Sequence, residues 1–146
     1  MAIPQPVHLS NTELRSLADI AFHLNRTSIA PRRAFGRILR TGYGGTMTPL
    51  RIRTVWEMVS RVAPRSYTRE PIPANIRKRV MASTNCVICH RPFSKETRPV
   101  VDHLIPVKVG GVNTRRNLAA VCRRRNQEKG GELLEIEKYA KIWNIR

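Results

Sequence analysis

The sequence predicts an α+β protein: an all-helical, arginine-rich N-terminal region, a short β-containing unit and a C-terminal helix. Three observations predict it. Capped amphipathic segments fill the first sixty residues, a β-type run ending in a glycine turn comes after a C-x-x-C pair beyond residue 85, and the chain closes on a second amphipathic stretch. The 146 residues allow one compact core, or two small modules of roughly 60 to 80 residues each. Boundaries are expected at 1–63 (helical and basic), 64–74 (a Pro-rich linker) and 75–146.

The first helix begins at LSNTELRSLADIAFHL. Ser10 and Glu13 have the spacing of a capping box, Leu9 and Leu14 that of a hydrophobic staple, and Leu14, Leu17, Ala18 and Ala21 make one buried face. A second helix is expected from Pro31 to Arg40, with proline in its first turn and Gly42 past its end. Thr48-Pro49 opens a third, whose seam is Ile52, Val55, Val59 and Val62 and whose stop is Pro64. Between them, Gly44-Gly45 lacks the preceding strand and G-K-[ST] ending of a phosphate loop, and reads as a cap and linker. PRSYTREPIPAN, residues 64–75, carries three prolines and reads as an arm. Next comes a short helix from about Pro73 to Ala82. RPVVDHLIPV then reads as a strand, KVGGVNTRR as a turn, and NLAAVCRRRNQEKGG as a helix closed by Gly130-Gly131. The last stretch, GELLEIEKYAKIWNIR, reads as a helix burying Leu133, Ile136, Ala140 and Trp143.

Charge selects the partner. Lys and Arg number 27 against 10 Asp and Glu, a net +17, and the pI is near 11.4. A surface so charged favours a polyanion, because neutralising phosphates releases condensed counterions. Nucleic acid is therefore the expected partner; docking on an acidic protein fits the same arginines. Arg32, Arg33, Arg37, Arg40, Arg51, Arg53, Arg61 and Arg65 are expected on exposed faces of the helical region. MAIPQPVHLS has no basic n-region leading into an apolar core, and no run approaches 18 apolar residues, so neither a signal peptide nor a membrane span is expected. Three cysteines, two of them in CVICH, in a chain too large to need disulfide staples, point to a reducing, cytoplasmic compartment.

CVICH itself admits three readings: haem attachment, half of a zinc site, or a disulfide end. The downstream residues decide. Asp102-His103, Pro106, Gly110-Gly111, Asn117-Leu118, Cys122, Asn126 and Lys129 stand in the order D-H-[LI]-x-P, G-G, N-L-x-x-x-C-x-x-x-N, K-G. This segment, roughly 75–131, resembles the HNH endonuclease family, in particular the small free-standing type carried by phages and other mobile elements. The resemblance implies a ββα-metal core and a metal-dependent endonuclease acting on DNA in the host cytoplasm. It implies His103 as general base, Asp102 and Asn126 as ligands of one Mg²⁺ or Mn²⁺, and Asn117 as the residue that pins the hairpin turn and orients His103. Asp102 and His103, as neighbours on a strand, share a site only if the strand end is twisted or bulged. Arg115, Arg116, Arg123, Arg125 and Lys129 join the basic residues expected on nucleic acid, Lys129 or Arg125 beside the scissile phosphate.

By the same resemblance, CVICH is half of a zinc clasp of two C-x-x-C pairs. Cys86, Cys89 and Cys122 are present, but the fourth position is Arg125. Two states stay open: zinc held by three thiolates with water or His90, or a packed thiol cluster without tightly bound zinc, which the arginine favours. Two other functions also stay open: a catalytically silent nucleic-acid-binding or architectural protein on the same fold, and an RNA-cleaving or toxin nuclease. A protein partner or homodimer is not excluded.

Overall fold

The computed structural model describes residues 5–65 and 69–146; the first four residues and the middle of the expected linker, 66–68, lie outside the described residues. Helix α1 spans Asn11–Thr27. The Ser10 hydroxyl accepts the Glu13 amide at 3.1 Å, and the Glu13 carboxylate accepts the Ser10 amide at 3.2 Å. Two of the orphan donors at the helix start are thus satisfied. Helix α2, Pro31–Tyr43, runs three residues past the expected end, to Gly44, whose φ of +67° ends it. The extra turn brings the Tyr43 hydroxyl onto the Glu13 carboxylate, tying α2 to the cap of α1. Helix α3, Pro49–Val59, is capped by Thr48 and buries Val55, Met58 and Val59. It stops before Val62, which instead pairs with Gly111, while the Ala63 amide donates to the Gly110 carbonyl at 2.8 Å.

Helix α4, Ala74–Met81, precedes a two-stranded antiparallel sheet of β1, Pro99–His103, and β2, Leu118–Cys122. Helix α5, Arg123–Lys129, continues from β2 without a break, and α6 spans Ile136–Ile142. Among the described residues, no helix is long and apolar enough to cross a membrane.

Two expected elements are corrected. The segment from Asn117 to Cys122, read as the start of a helix, contains a strand. Leu118 and Ala120 pack on the α4 side with Val80, and Ala119 and Val121 in the main core. A strand buried on both faces reads as an unbroken apolar run, which periodicity cannot tell from helix. The final helix is shorter than expected because its approach is committed elsewhere: the Leu134 amide donates to the Tyr139 hydroxyl at 3.2 Å and the Ile136 amide to the Val7 carbonyl at 3.1 Å. Leu133, Ile136 and Ala140 are buried as expected; Trp143 is half-buried.

One apolar core joins Leu9, Leu14, Phe35, Leu39, Val55 and Met58 of the N-terminal helices to Leu104, Ile105, Leu133, Ile136 and Tyr139. The helical region and the hairpin unit therefore share their interior. Arg61, expected at the surface, is only 3% exposed; its guanidinium stacks on Trp143 at 3.8 Å and meets Glu57 at 3.2 Å, clamping α3 to α6. A smaller cluster on the opposite side of the sheet packs Val80 and Ile76 of α4 and Ile72 of the arm against Val101, Leu118 and Ala120.

Candidate active site

The strand pairing decides where the expected residues go. The register runs unbroken from Pro99 opposite Cys122 to His103 opposite Leu118, with no bulge. Side chains therefore alternate: Val101 packs toward α4, Val100 joins the main core, and Asp102 meets α5. The strand carries no bulge there, so only a twist at its end can turn Asp102 and His103 toward one site; their side chains find different partners.

Asp102 is nearly enclosed, its side chain 12% exposed. The Lys129 ammonium lies 3.2 Å from Oδ2, yet that oxygen accepts no well-formed hydrogen bond among the described residues. Burial pushes the Asp102 carboxyl above the usual aspartate range, and the pull of Lys129, with that of His103, does not reverse it. Lys129 is turned inward, 2% exposed, and also donates to the His103 carbonyl at 2.9 Å. The expectation that it contacts nucleic acid is thus corrected: its charge is committed to Asp102 and the strand end. Asn126 stands one turn earlier on α5, on the face that carries Lys129, and is half-buried.

His103 is engaged from the other side. Its Nε2 lies 2.6 Å from Oδ1 of Asn113, and Asn113 Nδ2 donates to the Glu70 carbonyl at 2.7 Å. Sequence reasoning passed over Asn113, because an asparagine after Gly-Gly reads as a turn former. Asn117 is fully buried. Its Oδ1 accepts the Ile105 amide at 2.8 Å, and Nδ2 donates to the carbonyls of Ile105 at 3.1 Å and Val112 at 3.0 Å. It pins the turn as expected, but it grips the backbone after His103 rather than the imidazole. The turn needs its glycines: Gly110 has φ +94°, and a Cβ on Gly111 would fall 1.8 Å from the Ile105 carbonyl oxygen.

At the other end of the hairpin, Cys86, Cys89 and Cys122 bring their sulfurs within 4.8 Å of one another, Cys89 and Cys122 at 3.9 Å. A tight turn, with the His90 amide on the Cys86 carbonyl and His90 at φ +64°, folds the first two together. The Val87 amide joins them to β2 through the Ala120 carbonyl. The Arg91 amide, with help from both other thiols and Arg125, draws the Cys89 thiol down to about 7, whereas burial pushes Cys122 up. Cys89 therefore ionises before Cys122. The Arg125 guanidinium is held by Glu128 at 2.7 Å. A groove of about 830 Å³ opens beside the thiols, lined by Arg91, Lys95, Arg98, Arg123, Arg124 and Arg125 among others; neither Asp102 nor His103 borders it.

The other expected nucleic-acid contacts divide. Arg32, Arg33, Arg37 and Arg40 on α2, Arg53 on α3, and Arg115 and Arg123 are exposed; Arg116 is exposed but leans on Glu57 at 3.5 Å. Arg51 is a correction. Its guanidinium is absorbed by Glu137 at 2.7 Å and by the Thr46 and Gln5 carbonyls, which makes it a structural tie.

A hairpin running directly into a helix, with Asp102 and His103 at the end of its first strand and a buried asparagine entering the second, defines a ββα unit. Residues 86–132 match the family model described as HNH endonuclease. The match supports HNH family membership for that segment, and the family's domain is in general a nuclease acting on nucleic acid. Comparison with curated proteins and with solved structures finds no match.

Proposed function

We propose that this protein is a metal-dependent endonuclease that hydrolyses phosphodiester bonds in DNA, with His103 as general base. His103 takes a proton from water, the water oxygen bonds to phosphorus, and the ester bond opposite breaks, its oxygen leaving with the electron pair and taking a proton from solvent, to which His103 then returns its own. Asp102 and Asn126 would hold one Mg²⁺ or Mn²⁺, whose chemistry is charge stabilisation on the phosphate and the leaving oxygen. The residues fit such an ion in one respect that carries the reading: Oδ2 of Asp102 is buried and, although the Lys129 ammonium lies 3.2 Å away, accepts no well-formed hydrogen bond among the described residues, an acceptor that a hard cation satisfies. Asn117 holds the turn that comes after His103. Exposed Arg32, Arg33, Arg37, Arg40, Arg53, Arg115, Arg116 and Arg123, with Arg125, supply charge for the phosphate backbone. The three thiols would supply three of the four ligands of a structural zinc, with water or His90 as the fourth, or stand as a packed thiol cluster without tightly bound zinc, the state that Arg125 beside them favours.

One observation favours a second reading, a silent nucleic-acid-binding fold: the Lys129 ammonium already faces Asp102 at 3.2 Å. Plasmid cleavage by the full chain with Mg²⁺, Mn²⁺ or EDTA separates the two. The nuclease reading expects metal-dependent nicking or linearisation, abolished by EDTA and lost by at least a hundredfold in His103→Ala, the contribution of a positioned base being ~10²–10⁴. Binding in every metal without cleavage, with labelled RNA also left intact, would support the silent fold; cleavage of RNA alone would move the substrate class.

A further inference from the structure

Asn113 belongs to no motif singled out in the sequence, yet it is the one side chain hydrogen-bonded to His103 among the described residues. Its amide orientation is dictated from behind. The Glu70 carbonyl, 2.7 Å away, is only an acceptor, so the Asn113 atom that faces it must be the NH₂ group. The atom facing His103 is therefore the amide oxygen, also only an acceptor, 2.6 Å from Nε2. A flipped amide would set two acceptors against each other at the Glu70 carbonyl. For a neutral imidazole the consequence is fixed: the proton sits on Nε2 and the lone pair on Nδ1.

From this chain of donors and acceptors we infer that Asn113 is a positioning residue that locks His103 in the Nε2–H tautomer, leaving Nδ1 as the atom that takes the proton from water. The inference rests on the reading of His103 as general base. The arm before α4 forms part of the device. Ile72, two residues beyond Glu70, packs against the cluster of Val80, Leu118 and Ala120, which anchors the stretch whose carbonyl orients Asn113. The support of the base thus passes from the apolar cluster on the α4 side, through one backbone carbonyl and one amide, to the imidazole.

The test reads the tautomer directly. Ring ¹⁵N–¹H correlation spectra of the full-length protein are recorded with the imidazoles neutral, the His103 signals being those absent from His103→Ala. Wild type is expected to show the Nε2–H pattern. Asn113→Ala is expected to show a mixture of tautomers and a kcat lower by roughly ten- to a hundredfold with KM changed much less, part of the ~10²–10⁴ a positioned base supplies. Asn113→Asp, which keeps an acceptor oxygen, is expected to retain the Nε2–H pattern. An Nδ1–H pattern in wild type, a measurement that needs no variant to fold, would overturn the inference; so would an unchanged pattern in a folded Asn113→Ala. A His103→Ala protein that still cuts DNA would instead sink the general-base reading and leave the tautomer result standing.

Discussion

Cys89 shows how much a single position depends on its surroundings. Of three thiols clustered at one end of the hairpin, Cys86 is buried and Cys122 is pushed up by burial, while the Arg91 amide draws Cys89 down to about 7. The thiolate is the nucleophile, so in protein freed of metal Cys89 is expected to be the first site alkylated by iodoacetamide, with a rate that rises through about pH 7 and then levels. Peptide mapping after short exposures across a pH series checks this; uniform labelling of all three cysteines would contradict it. At this scale the sequence names residues better than it names their partners. Asp102, His103 and Asn117 stand out because their order and spacing are specific. Asn113 does not, because asparagine beside Gly-Gly is ordinary turn chemistry. Lys129 and Arg51 look like surface charge, and nothing in a string of letters says that their ammonium and guanidinium groups turn inward onto Asp102 and Glu137.

Elements are legible where they carry their own punctuation. Helices α1, α2 and α3 begin where Ser10, Pro31 and Thr48-Pro49 say they should. Strand β2 carries none: no glycine or proline separates it from α5, and both of its faces are apolar. Helix α6 loses its first turn to the Val7 carbonyl and the Tyr139 hydroxyl, the former a contact made across a long stretch of chain. The turn between the strands is held differently from a tight hairpin. Fourteen residues lie between His103 and Leu118 (104 to 117), and one buried amide organises them. Asn117→Ala would strip partners from the amide of Ile105 and the carbonyls of Ile105 and Val112, each costing roughly 1–3 kcal/mol when left buried and unpaired. The urea midpoint is expected to fall by a margin corresponding to several kcal/mol. A change below about 0.5 kcal/mol, the range of neutral surface substitutions, would remove Asn117 from this role.

At the scale of the whole molecule, the shared interior decides the organisation. Length alone allowed one core or two modules. The helical region and the nuclease-family segment close on each other through Leu9, Leu14 and Met58 on one side and Ile105, Ile136 and Tyr139 on the other. The basic face of α2 is thereby fixed relative to the hairpin rather than tethered to it by the arm.

The stitch between Val7 and α6 has a kinetic meaning. Val7 exchanges contacts with Ile136 and Glu137 across 130 residues of sequence, and Arg51 completes the knot at Glu137. Closing so long a loop costs entropy before any contact rewards it, so these bonds are expected to form after the rate-limiting step. Glu137→Ala should then leave the refolding limb of a stopped-flow chevron where it is and quicken unfolding, about fivefold for a loss of about 1 kcal/mol. Slower refolding would instead place the joining of these two segments inside the folding nucleus. If the joining comes late, the protein's lifetime in its folded form is governed by the seam between Val7, Arg51 and Glu137.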